Sequence, residues 1–245
     1  MPNASNAIRP DLLAAHERAW DRLARPGTWW NGWERVAIAA ATRGALTCAF
    51  CARRKEALSA SMAKGAHDGP HGGLSEGVVD LIHRIRTDAD RFGPSLFKQY
   101  VPGVLSEERF VELTGIVATI TAIDTFDAIM GRPLRPLPEP LPGAPSRKRP
   151  KGAAYDQAYV PMVTPDAIDA SDPDQAAMYE GRAGMYIHRA LSLVPAEVVN
   201  FFDLDDQMYL PDRFLRDFGT EYRAITHAQI EFLAARMSAL NRCTY

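Results

Sequence analysis

A chain of 245 residues with 47% hydrophobic and 24% charged content is long enough to bury one large core or two smaller ones, which excludes disorder throughout. Its 28 basic and 30 acidic residues give a formal charge of -2, so there is no electrostatic excess for gripping phosphate backbones and no nucleic-acid partner is expected. The segment Met1-Pro2-Asn3-Ala4-Ser5-Asn6 lacks the basic region and apolar stretch of a signal peptide, and no apolar run reaches the length of a membrane span; a cytoplasmic location with no membrane partner is expected.

Helical periodicity dominates, and no run of alternating β-branched residues bounded by turn signals occurs, so the expected class is all-α. The first amphipathic helix spans about Asp11 to Ala24 and ends at Pro26-Gly27. Trp29, Trp30 and Trp33 then lead into a second helix, Glu34 to Leu46, whose five alanines favour helix and allow close packing. The three tryptophans are expected to form an exposed patch suited to assembly. Helix continues from Ala49 to Met62, and the glycine-rich run from Lys64 to Gly73 is a loop. Ser75 caps a helix from Glu76 to Thr87, and Ser106, followed by Glu107 and Glu108, opens one that runs to Met130.

Nine of the eighteen prolines fall between Pro133 and Pro165, which predicts a semi-rigid extended linker with Arg147-Lys148-Arg149 as a solvated basic triplet. Helix resumes at Asp172-Pro173-Asp174-Gln175, an N-cap acid with proline behind it, and extends to Leu193. A short helix follows from Pro195 to Phe202. The last one, capped by Thr220, runs to Asn241, just before Cys243.

Three cysteines, two of them in the spacing Cys48-Ala49-Phe50-Cys51, point to chemistry or metal rather than to a structural disulfide framework. At a helix start, the positive end of the macrodipole acidifies the first thiol and its partner lies one turn away, within reach of a disulfide. Zinc is the rival use, with His67 and His71 as the histidines that would complete a Cys2His2 set; two inert buried cysteines are the bland one. Glu112 shares a helix face with Gly115, Thr119 and Ala122, a small-residue stripe where another helix can approach. A carboxylate buried there would have its pKa raised and suit a base for a thiol. His83 is set within the apolar run Leu81-Ile82-His83-Arg84-Ile85 and is its possible helper. His227 and Glu231, one turn apart, read as an ordinary hydrogen-bonded pair.

The stretch Glu34-Arg35-Val36-Ala37-Ile38-Ala39-Ala40-Ala41 running into Cys48-Ala49-Phe50-Cys51, with Phe110-Val111-Glu112-Leu113 later, resembles the carboxymuconolactone decarboxylase superfamily, specifically its alkyl hydroperoxidase D-like members. The resemblance covers about Asp11 to Pro138. It implies an all-helical bundle that assembles into homo-oligomers and reduces peroxides through the dithiol, without cofactor or metal. It also implies that Cys51 attacks peroxide while Cys48 resolves the product and meets a thiol or dithiol reductant, whereas the macrodipole favours Cys48 as the more acidic thiol. Where the family carries a histidine one turn after the second cysteine, this chain has Lys55. The family glutamate falls at Val36, two residues beyond Glu34.

A second echo, Ile230-Glu231-Phe232-Leu233-Ala234-Ala235 with Cys243 twelve residues after Glu231, looks like a degenerate repeat. The expected organisation is therefore a dithiol-bearing helical domain over 1–132, a proline-rich linker over 133–165 and a degenerate helical repeat over 166–245. The expected function is thiol-dependent peroxide reduction or disulfide exchange, with Cys48, Cys51, Glu112, His83 and Glu34 as the candidate catalytic residues. The alternative is a non-catalytic helical binding module whose dithiol is vestigial or redox-sensing.

Overall fold

The computed structural model describes residues 8–243. Among them there is no β-strand, only an isolated antiparallel bridge between Ala154 and Met162, so the class is all-α. No single helix there is long and apolar enough to cross a membrane.

Helix α1 (Pro10–Ala24) starts on a proline at its first turn, where the missing N–H costs nothing, and buries Leu12, Ala15, Ala19, Trp20 and Leu23. Arg25, before Pro26, is extended and ends it. Helix α2 (Gly32–Gly44) is opened by a reciprocal capping box. Asn31 accepts from the Glu34 N–H at 2.9 Å, and the Glu34 carboxylate accepts from the Asn31 N–H at 2.9 Å. Helix α3 (Ala49–Glu56) follows Cys48, its N-cap.

Helix α3 stops well before the expected Met62, and only a 3-10 turn at Ala60–Met62 continues it. The cause is tertiary: Arg91 donates to the carbonyls of Arg54 at 2.8 Å and Ala57 at 2.9 Å, satisfying acceptors that further helix would have used. Helix α4 (Glu76–Thr87) is capped by Ser75, α5 (Pro94–Tyr100) is short, and α6 (Glu107–Ile129) is capped by Ser106. Helix α2 lies centrally, packed against α1, α4 and α6, with Ile38, Leu81, Ile82, Leu113, Ile120 and Ile123 fully buried around it.

The proline-rich stretch after Gly131 is extended, as expected, but it is a strap pinned to the bundle. Trp20 Nε1 donates to the Pro136 carbonyl, Leu141 N–H to Ala24 and Arg147 N–H to Thr28, each at 2.8 Å. The basic triplet is only partly solvated, because Arg147 lies over the Trp29 ring and Arg149 pairs with Glu108.

The continuous helix expected over 172–193 is broken into α7 (Pro173–Ala177) and α8 (Tyr186–Arg189). Gly181 and Gly184, at φ +71° and +66°, turn the chain between them. Helix α9 (Pro195–Met208) runs past Phe202 and packs on α1 and α6. Its Leu204, with Leu193 and Val194, joins the core of the first half, so one hydrophobic core spans both sides of the strap. Helix α10 (His227–Leu240) is capped by Thr226 rather than Thr220, and buries only His227 and Ile230.

The tryptophans do not form an exposed patch. Trp30 is 2% exposed, donates its indole N–H to the Arg109 carbonyl and lies under the Arg109 guanidinium; Trp29 is half-buried, and Trp33 alone, at 65%, faces solvent. His227 and Glu231 approach to 3.5 Å without a hydrogen bond, because Glu231 accepts from Tyr209 while His227 stacks on Phe218.

Candidate functional site

Three segments converge on the dithiol. Cys48 is the N-cap of α3 and Cys51 lies in its first turn; both are buried and unlinked, with sulfurs within 4.8 Å of each other. Cys48 makes no side-chain cap. Asp68 does so from the following loop, accepting the Ala49 N–H at 2.7 Å, which ties that loop to the start of the helix. Gly72, at φ +58°, lets the loop press against α2, since a Cβ there would lie 2.8 Å from Ala37 Cβ. The third segment is α4, which supplies Asp80 and His83.

The loop brings His67 between the thiols, with its Nδ1 3.6 Å from Cys48 Sγ and 3.5 Å from Cys51 Sγ. From the other side, His83 Nδ1 lies 3.2 Å from Cys51 Sγ. Asp80 stands behind His67, accepting from His67 Nε2 at 2.8 Å, Arg54 Nη1 at 2.5 Å, Arg84 Nε at 2.9 Å and the Tyr100 hydroxyl. Arg54 is fully buried and also turns its second Nη to 3.7 Å from Cys51 Sγ.

These contacts push the two histidines in opposite directions. Burial works against charge on His67, but its hydrogen bonds to Asp80, Cys51 and Cys48 outweigh that and raise its pKa to about 10. Burial works the same way on His83 and is reinforced by the positive charges of His67 and Arg54, which bring it down to about 4. Burial also opposes the Cys48 thiolate, yet the backbone N–H groups of Asp68 and Cys51 and the side chain of His67 bring that thiol down to about 7. Asp80 burial is likewise outweighed by its donors, led by His67 and Tyr100, which hold its carboxyl far below the usual range. The site therefore contains an imidazolium beside both sulfurs and a neutral imidazole on Cys51, a division of roles typical of acid and base pairs.

Of the candidate catalytic residues, the structure brings together Cys48, Cys51 and His83, and it adds His67, which the sequence offered as a metal ligand. It does not bring Glu112 or Glu34 to them. Glu112 is fully buried in another cluster, where its carboxylate takes the Trp29 N–H at 2.5 Å and pairs with Arg35, which also holds Glu197 at 2.9 Å. The small-residue stripe does admit a helix, but it is α9: a Cβ on Gly115 would meet Glu197 at 2.8 Å. Glu34 is spent on the capping box and on Arg109 at 2.8 Å. Lys55 is exposed, and the cation at the thiols is its neighbour Arg54.

His67 entered the sequence reading only as a zinc ligand paired with His71, and Asp80 and Arg54 not at all. Loop closure brings in His67 and the packing of α4 against α3 brings in Asp80, whereas Arg54 lies one helical turn after Cys51 on α3, a spacing visible in the sequence. The four donors Cys48 Sγ, Cys51 Sγ, His67 and His83 lie within 4.8 Å of one another, a set that could hold a metal ion, and His71 is outside it. Set against known proteins, the chain matches no family model, no curated protein and no solved structure.

Proposed function

We propose that this protein is a cysteine-based oxidoreductase that reduces peroxides, or exchanges disulfides, through Cys48 and Cys51. The observation that carries the reading is the placement of His67 Nδ1 between the two sulfurs with Asp80 behind it, while a second imidazole touches Cys51 alone. The resemblance of the sequence to alkyl hydroperoxidase D-like proteins points the same way, and with it comes the expectation of a homo-oligomer.

In this reading His83 Nδ1, 3.2 Å from Cys51 Sγ, passes the Cys51 proton on to solvent as the sulfur attacks, with His67 and Arg54 beside it. The Cys51 thiolate attacks one peroxide oxygen and the O–O bond breaks. His67 gives a proton to the departing alkoxide, leaving a sulfenic acid on Cys51 and an alcohol. The Cys48 thiolate then attacks Cys51 Sγ, the S–O bond breaks, the leaving hydroxide takes a proton from solvent and departs as water, and the disulfide closes. The balance is two thiols and ROOH going to one disulfide, ROH and water. An external thiol or dithiol reductant restores the pair by exchange. Family glutamate and histidine positions are replaced here by His67, His83 and Asp80.

Peroxide consumption by the reduced protein, with dithiothreitol as reductant, tests this. Turnover lost in both Cys48→Ser and Cys51→Ser, with helicity unchanged, is expected; turnover retained in both would leave the non-catalytic helical module as the better reading.

A further inference from the structure

Both histidines aim Nδ1 at the sulfurs, and the Cys–His separations of 3.2, 3.5 and 3.6 Å have a second meaning. Around a tetrahedral ion with metal–sulfur bonds of about 2.3 Å and metal–nitrogen bonds of about 2.0–2.1 Å, a sulfur and a nitrogen lie about 3.6 Å apart. We propose that Cys48, Cys51, His67 and His83 form a closed Cys2His2 site for a zinc-class divalent ion, in which the metal-held dithiolate and the disulfide are mutually exclusive states of one pair of sulfurs.

Two geometric features support the ligand set, and two properties of the ion follow from it. All four donor atoms lie within 4.8 Å of one another. His67 turns its other nitrogen to a carboxylate, the arrangement that orients metal-ligating imidazoles, and Asp80 is itself fixed by Arg54, Arg84 and Tyr100. Two sulfurs and two imidazoles select a borderline-soft ion over magnesium or calcium, which take oxygen ligands. Four protein donors, three of them buried and His67 half-buried, also leave no open position in a tetrahedral shell, so the ion would lock the site rather than work as a hydrolytic centre.

The metal site stands on this geometry alone; its redox consequence rests on the dithiol reading above. Peroxide is the two-electron oxidant. The zinc-bound dithiolate with H2O2 and two protons goes to the Cys48–Cys51 disulfide, free Zn2+ and two waters, so both metal–sulfur bonds break as the S–S bond forms. Bound metal shields the thiols, and oxidation releases it.

The test is anaerobic titration of the reduced, chelator-stripped full chain with Co(II). Saturation at one equivalent is expected, with the intense visible bands of tetrahedral Co(II) and a thiolate-to-cobalt charge-transfer band, both displaced by Zn(II). Cys51→Ser and His83→Ala should lose the tetrahedral bands, and His71→Ala should keep them. Absence of saturable bands in the wild-type chain overturns the site whatever the variants do. Bands that survive Cys51→Ser, or that depend on His71 instead of His83, overturn the ligand set.

Zinc-loaded protein given one equivalent of peroxide should release one zinc per disulfide, read with a chromogenic chelator. Metal-free protein run in parallel separates the two claims. Cobalt binding without disulfide formation there defeats the dithiol reading and the redox release but leaves the metal site. Disulfide formation without cobalt binding does the reverse.

Discussion

Replacing Glu112 by glutamine should flatten the pH dependence of stability near neutrality. Arg35 bridges Glu112 and Glu197 in a fully buried cluster, so two carboxylates share one guanidinium and one negative charge is left over. Burial is the main force raising the Glu112 pKa, opposed by Arg35 and reinforced by Glu197, and takes it from 4.5 to about 7. Because the folded state holds this proton more tightly than the unfolded chain, its contribution is full below about pH 4.5 and is lost as pH rises through about 7. The difference corresponds to about 3 kcal/mol between pH 4.5 and 7.5. Glutamine matches the protonated acid in shape and cannot ionise. Urea unfolding at several pH values should therefore show wild type losing about 3 kcal/mol more than Glu112→Gln over that range. Parallel profiles would refute the reasoning.

Since Glu112 sits apart from the thiols, Glu112→Gln should also leave thiol alkylation unchanged as a function of pH; a shifted profile would return it to the dithiol chemistry. Asp80→Asn removes the negative charge behind His67 and should move the midpoint of Cys48 alkylation, followed on its own peptide by mass spectrometry, upward in chelator-treated protein; an unmoved midpoint would show that Asp80 does not act through His67. Cys48→Ser should trap a sulfenic acid on Cys51 that a dimedone probe labels, and labelling found only in Cys51→Ser would exchange the two roles. Leu81 is fully buried in the shared core, so Leu81→Ala should cost about 2–5 kcal/mol in urea unfolding, and a smaller loss would show that the site collapses on truncation. Light scattering at micromolar concentration should give a homo-oligomer, and a monomer would contradict that expectation.

The helices legible in the sequence are those whose caps and apolar faces are local. Ser75 and Ser106 accept the N–H groups of Val78 and Arg109, and α1, α4 and α6 follow close to their periodicity. Where tertiary contacts decide, sequence patterns mislead. Arg91 ends α3 early, Gly181 and Gly184 break the helix after Asp172, and the proline-rich segment that reads as a linker gives the bundle the Pro136 carbonyl and the N–H groups of Leu141 and Arg147.

The closeness of Cys48 and Cys51 follows from their spacing at a helix start, while His83, set in an apolar helix, reads equally as a satisfied buried histidine until α4 is seen to face Cys51. His67 lies 19 residues from Cys48, on a glycine-rich loop that carries no periodic signal, so its approach depends on Asp68 capping α3 and on Gly72 fitting against α2. Glu112 shows the converse. Its burial and raised pKa follow from the small-residue face, but the helix that approaches is α9, bringing Glu197 rather than a thiol.

The most direct measurement is a count of free thiols in reduced, chelator-treated protein before and after one equivalent of hydrogen peroxide, with the products mapped by mass spectrometry. A fall from three thiols to one is expected, with Cys48 joined to Cys51 and Cys243 still free. Three thiols remaining, or a product in which Cys48 and Cys51 are not joined, would contradict the assignment of this pair as the redox centre.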